Sequence, residues 1–186
     1  MDSFASRTVA LILLVSIAPL LLALALTAAL TQGRPVIFRQ LRTGKGAAPF
    51  RLFKFRSMRD VRNAAGHLLP DAQRVTRFGN ALRRTRLDEL LGLINVIRGE
   101  MAFVGPRPLL PETIEGLGSV GVKRCQVRPG LTGWSQVNGN TLLTLEQKVA
   151  LDIWYIENSS WLLDARIILM TIIVMIVGEQ VGTSRT

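Results

Sequence analysis

The chain has 186 residues, a formal charge of +10 from 23 Lys and Arg against 13 Asp and Glu, and 48% hydrophobic residues. So apolar a composition excludes a disordered basic tail, and only one apolar run approaches 20 residues, which excludes a polytopic membrane protein. A single Cys125 and a single His67 exclude an internal disulfide and a Cys-based zinc cluster, and the length fits one compact domain with an appendage.

Val9 to Leu30 carries no charge. As one straight helix it would be about 33 Å long, enough to cross a bilayer core. Pro19 sits at its middle, where proline breaks or kinks a helix. Two halves of about 15 Å each would instead dip to mid-membrane and return. A kinked spanning helix and a re-entrant helix-break-helix both satisfy these residues. Arg34, Arg39, Arg42 and Lys45 follow directly and assign that flank to the cytoplasmic side. Ahead of the run, Asp2 and Arg7 cancel.

Gln32 to Pro35 reads as a turn and Val36 to Gln40 as a short strand. Thr43 to Gly46 is a tight loop, and Phe50 to Arg56 alternates as a strand does. Arg59 to Pro70 reads as a mobile polar loop containing a solvated His67. Phe78 to Arg84 is expected to be helical. Leu87, Leu90, Leu91, Ile94 and Ile97 fall on one helical face, so Leu87 to Arg98 is expected as one amphipathic helix ended by Gly99. Val104 to Pro111 reads as a rigid extended loop and Val127 to Gly139 as a Gly/Pro-rich loop. Leu145 to Glu157 is expected to be helical. Ile167 to Val177 is an apolar run too short to span, suited to an interfacial or core helix. Residues 33–62 carry +8 and residues 63–100 carry +2, a surplus suited to a phosphate compound, an anionic lipid surface or a nucleic acid.

Four clusters bear chemistry. Arg83-Arg84-Thr85-Arg86-Leu87-Asp88-Glu89 puts two carboxylates at a helix start among arginines. Thr85 as N-cap with Asp88 in a capping box is the plain structural reading. The chemical reading is that the helix N-terminus and the arginines lower the Asp88 pKa and keep it ionised as a nucleophile. Gly105-Pro106-Arg107-Pro108 fixes the backbone around one guanidinium, which suits phosphate, or is an ordinary crossover with a solvated Arg. Trp134, in Arg128 to Trp134, can stack on a base, anchor at a membrane interface or simply pack. Lys54-Phe55-Arg56 interleaves bases with an aromatic, as a nucleic-acid surface does or as a strand with snorkelling bases does.

Together these segments resemble the monotopic phosphoglycosyl transferases, or bacterial sugar transferases. The resemblance runs through Pro19, Thr31-Gln32-Gly33, Val36 to Gln40, Lys54 to Met58, Leu87-Asp88-Glu89-Leu90, Asn95-Val96, Val104 to Pro108, Arg128 to Trp134, Gln136 to Gly139, and Asp152 with Tyr155. It covers nearly the whole chain and matches the family's small members.

The resemblance implies an α+β fold: a mostly helical catalytic domain with a short β-hairpin over 33–186, attached to a re-entrant membrane helix broken at Pro19 over 1–32. It implies a ping-pong transfer of a sugar 1-phosphate from a UDP-sugar to undecaprenyl phosphate, releasing UMP. The donor is expected to be UDP-N,N′-diacetylbacillosamine or another UDP-linked N-acetylated amino sugar. Asp88 would carry the covalent phosphosugar, and Asp88 and Glu89 would be the catalytic pair and hold Mg2+. Arg83, Arg107, Lys54 and Arg56 would bind phosphate. The implied location is monotopic, on the cytoplasmic face of a bacterial inner membrane, in contact with membrane lipid. A homodimer stays open, and nucleic acid is set aside as a partner. Two departures from the family pattern stand out: the Asp2 to Arg7 stretch lacks a Lys-Arg pair, and Asn140 stands where the family often has Arg. The competing reading is a non-catalytic, membrane-anchored basic protein that binds anionic lipid or nucleic acid.

Overall fold

A computed structural model describes residues 3–177; Asp2 lies outside the described residues. The chain opens with α1 (Ser3–Ser16) and α2 (Ala18–Gln32), which meet at a 62° bend. Ile17 makes the break at φ −93°, ψ 5°, and Pro19 falls in the first turn of α2, where its missing N–H costs no helical bond. Among the described residues, no single helix is long and apolar enough to cross a membrane.

β1 (Ile37–Thr43) and β2 (Pro49–Phe55) form the expected antiparallel hairpin, with Ile37 opposite Phe55 and Thr43 opposite Pro49. The alternation of β2 feeds two cores at once. Phe50 and Leu52 join a cluster with Ala10 of α1, and Phe53 and Phe55 join one with Leu24 of α2. Burying both faces of β2 is why it carries four large apolar residues in seven.

Next come α3 (Asp71–Arg74), α4 (Arg77–Arg84), a 3-10 turn at Leu87–Leu91, and α5 (Gly92–Arg98). The expected helix from Leu87 is therefore divided, because its first turn is wound tighter. Thr85 is not its N-cap. It ends α4, and its hydroxyl donates back to the Ala81 carbonyl at 2.8 Å. Arg86, left-handed at φ 56°, leads into the turn instead. Gly99 ends α5 at φ 77°, as expected. Asn95, fully buried, donates to the Arg51 carbonyl at 2.8 Å and accepts from the Phe53 N–H at 3.2 Å, tying α5 to β2.

β3 (Ala102–Val104) is followed by α6 (Pro111–Gly116) and α7 (Gly118–Arg124). The segment expected as a loop between Val127 and Gly139 contains β4 (Gly130–Thr132), parallel to β3, and α8 (Trp134–Val137). Glycines hide this order from a pattern reading. A Cβ on Gly133 would lie 2.0 Å from the Gly105 carbonyl oxygen, so the two segments touch backbone to backbone. α9 (Leu145–Asn158) starts on a Thr144/Gln147 capping box. α10 (Trp161–Val177) buries Ile167 and exposes Leu169, Ile172, Ile173 and Ile176.

Candidate active site

The 3-10 turn places the adjacent carboxylates in different surroundings. Glu89 is clamped: Arg107 donates to its Oε1 at 2.6 Å and Lys54 at 3.1 Å. Lys54 arrives because it follows Phe50 and Leu52 at two-residue steps along β2. Asp88 is buried and, among the described residues, forms no ion pair.

The electrostatics follow. Burial pushes Asp88 up to about 6, the Glu89 charge adds to the rise, and Lys54 and Arg107 oppose it. This reverses the expected lowering of Asp88: burial and a like charge outweigh the cations. Burial also pushes Glu89 up, but Arg107 and Lys54 more than reverse that and hold it at about 2. At pH 7 Asp88 is still roughly nine-tenths ionised, and less well solvated than an ordinary carboxylate.

Arg107 is itself held from behind. Its carbonyl accepts from the buried Arg124 guanidinium, which also donates to Asp152 at 2.6 Å. The Ser135 hydroxyl donates to the other oxygen of Asp152 at 2.7 Å. Burial pushes the Asp152 carboxyl up, against the lowering effect of Arg124 and Ser135. Asp152 carries no assigned role in the sequence reading, and nothing local marks Arg124; their pairing spans 28 residues.

Two cavities meet at Glu89. The inner one, about 20 Å3, is lined by Arg42, Lys54, Glu89, Arg107 and Gln136 among others. That is room for about one water-sized group. Arg42 enters unforeseen, with its Nε and the Gln136 Oε1 buried without partners among the described residues. The outer one is an apolar groove of about 530 Å3 between α1 and α10, with Glu89, Leu90 and Arg86 along it. Asp88 lines neither cavity.

The other expected phosphate ligands stand apart. Arg83 is exposed in the last turn of α4, and Arg56 borders a separate groove with Arg39 and Val36. Among the described residues neither side chain bonds to Asp88 or Glu89. Trp134 packs: its ring stacks on Trp154 at 5.2 Å, with Arg166 over it at 5.7 Å. Among the described residues no third Asp, Glu, His or Cys joins the two carboxylates in a metal-binding cluster.

The family model for bacterial sugar transferases matches residues 1–178. The chain is 42% identical over 149 residues to a sugar transferase of Bacillus subtilis (strain 168), EpsL, covering 80% of this chain and 74% of that protein. It is 40% identical over 177 residues to the UDP-glucose:undecaprenyl-phosphate glucose-1-phosphate transferase of Escherichia coli (strain K12), covering 88% of this chain and 37% of that one. It is 38% identical over 170 residues to the UDP-N-acetylgalactosamine-undecaprenyl-phosphate N-acetylgalactosaminephosphotransferase of Aeromonas hydrophila, covering 86% of this chain and 40% of that one. The chain thus spans about two fifths of these two transferases. With its dyad and clamping cations inside a match that runs nearly from end to end, this chain belongs to the bacterial sugar transferase family.

Proposed function

We propose that the protein transfers a sugar 1-phosphate from a UDP-sugar to undecaprenyl phosphate, in two steps through Asp88. The observation that carries this reading is the split dyad: Glu89 is immobilised by Arg107 and Lys54, while Asp88 beside it has no ion-pair partner among the described residues. Relatives named for this type of transfer support it. In the first step an Asp88 carboxylate oxygen forms a bond to the β-phosphorus. The bond from that phosphorus to the bridging oxygen breaks, and UMP leaves with the electron pair. In the second step an oxygen of the polyprenyl phosphate attacks the same phosphorus, and the Asp88 carboxylate is released. Burial leaves Asp88 poorly solvated, which favours attack, and Arg107 and Lys54 are placed to offset phosphate charge.

Two adjacent carboxylates suit Mg2+, which takes one or two protein carboxylates and completes its shell with substrate phosphates and water. Asp88 and Glu89 would hold it, and it would neutralise charge on the transferring phosphoryl group.

The acceptor fits the groove between α1 and α10, whose walls are Leu, Ile, Val, Phe and Met apart from a few polar groups. The bent helix pair fits re-entry from the cytoplasmic face of the inner membrane. Arms of 14 and 15 residues, equally inclined at a 62° bend, carry the apex about 11 Å below their ends. That depth lies within one leaflet of a hydrocarbon core of about 30 Å.

The test is UMP release from a panel holding UDP-glucose, UDP-N-acetylgalactosamine, UDP-galactose and UDP-N,N′-diacetylbacillosamine, with Mg2+. Asp88→Asn is expected to abolish release from whichever donor the wild type uses, with its circular dichroism unchanged. Retained turnover would overturn the nucleophile.

A further inference from the structure

We infer that Arg86 holds the phosphate of the lipid acceptor, separately from the cations that grip the donor; the inference rests on the proposed transfer to a polyprenyl phosphate. Glu89 borders both cavities, and the cations divide across it. Lys54, Arg107 and Arg42 line the inner cavity. In the apolar groove Arg86 is the one Lys or Arg among the described lining residues. An amphiphile with a long hydrocarbon tail and a phosphate head needs an apolar trough with a cation at the reacting end. The groove supplies the trough through Val9 and Leu13 of α1 and Ile168 and Ile172 of α10. It places Arg86 three positions from Glu89 on the same turn.

The chain fixes Arg86 there at a cost. A non-glycine residue at φ 56°, ψ 17° occupies the left-handed region, which L side chains seldom adopt. Its guanidinium donates to the Gln136 carbonyl at 2.9 Å, which orients it from the α8 side. A guanidinium has five N–H donors in a planar fork, so it can serve more than one acceptor at once. Among the described lining residues the other charged groups, Glu89 and Asp164, are carboxylates, which would repel a phosphate rather than hold it. Glu89 is engaged by Lys54 and Arg107, and Asp164 accepts from the Tyr155 hydroxyl at 2.7 Å.

The test separates the two substrates kinetically. Arg86→Asn removes the guanidinium but suits the left-handed backbone, because Asn is several-fold enriched there; Arg86→Lys keeps the charge without the fork. Steady-state rates are measured while undecaprenyl phosphate and the UDP-sugar are varied in turn. Losing a charge-assisted hydrogen bond predicts a rise of about ten- to a hundred-fold in the acceptor KM for Arg86→Asn, a smaller one for Arg86→Lys, and no matching rise in the donor KM. An unchanged acceptor KM, or equal rises in both, would overturn the assignment. Absence of UMP release from the wild type with every donor would instead overturn the proposed transfer itself.

Discussion

Neighbouring residues can share a backbone turn and still differ in chemistry. Asp88 rises to about 6 while Glu89 falls to about 2. The difference comes from burial on one side and two cations on the other. The shift of Asp88 has a consequence for stability. A carboxyl whose folded pKa lies above its unfolded value contributes stability that is intact below pH about 4 and is lost as pH rises through about 6. At pH 8 in EDTA, Asp88→Asn is therefore expected to be more stable than the wild type, by up to about 3 kcal/mol for a shift of about two units. The gain should vanish near pH 4. Thermal melts at the two pH values check this; an equal or lower melting temperature at pH 8 would contradict it. The proposed nucleophile is then a carboxylate that its own fold disfavours, as active-site groups often are. The carboxylate pair is legible in the sequence, and so is the arginine-rich setting. Which carboxylate the cations reach is not legible, because Lys54 and Arg107 come from 35 and 18 residues away.

At the level of elements, the strict alternation of β2 survives intact in the structure, since each face has its own core to enter. The hairpin, α4, α9 and the Gly99 stop are all readable from local spacing. What local spacing misses is built from backbone proximity. β4 and α8 lie in a stretch whose Gly and Pro mark turns, yet those glycines admit Gly105 to within touching distance of the main chain. Behind them α7 and α9 contribute Arg124 and Asp152, side chains 4% and 2% exposed. Removing one member of so buried a pair strands the other charge, at a cost of about 3–5 kcal/mol. Asp152→Asn is expected to lose that much in urea unfolding, with the midpoint falling at unchanged slope. A change within 1 kcal/mol would show that Arg124 is satisfied by the Arg107 carbonyl alone.

At the scale of the molecule, the +10 charge gains a layout. Most of it follows α2 directly in residues 33–62, where a basic segment adjoins the proposed membrane dip and can meet anionic headgroups. The outer sides of α1, α2 and α10 expose Leu11, Ile12, Leu22, Leu26, Leu169 and Ile176, the face expected to enter lipid. Ser3→Cys, in sealed inner-membrane vesicles of known orientation, is expected to react with an impermeant maleimide only from the cytoplasmic side. Reaction from the periplasmic side would indicate a spanning segment.

The inner sides of α1 and α2 have a different destiny. Ala10 and Leu14 pack with Leu93 and Val96, and Leu24 packs with Phe53 and Leu82. The helix pair is thus no tether that could be lengthened, exchanged or clipped away while an enzyme floats free. It supplies part of the interior against which the dyad's own turn is folded. If the pair enters lipid as proposed, membrane entry and completion of the tertiary structure draw on the same two helices.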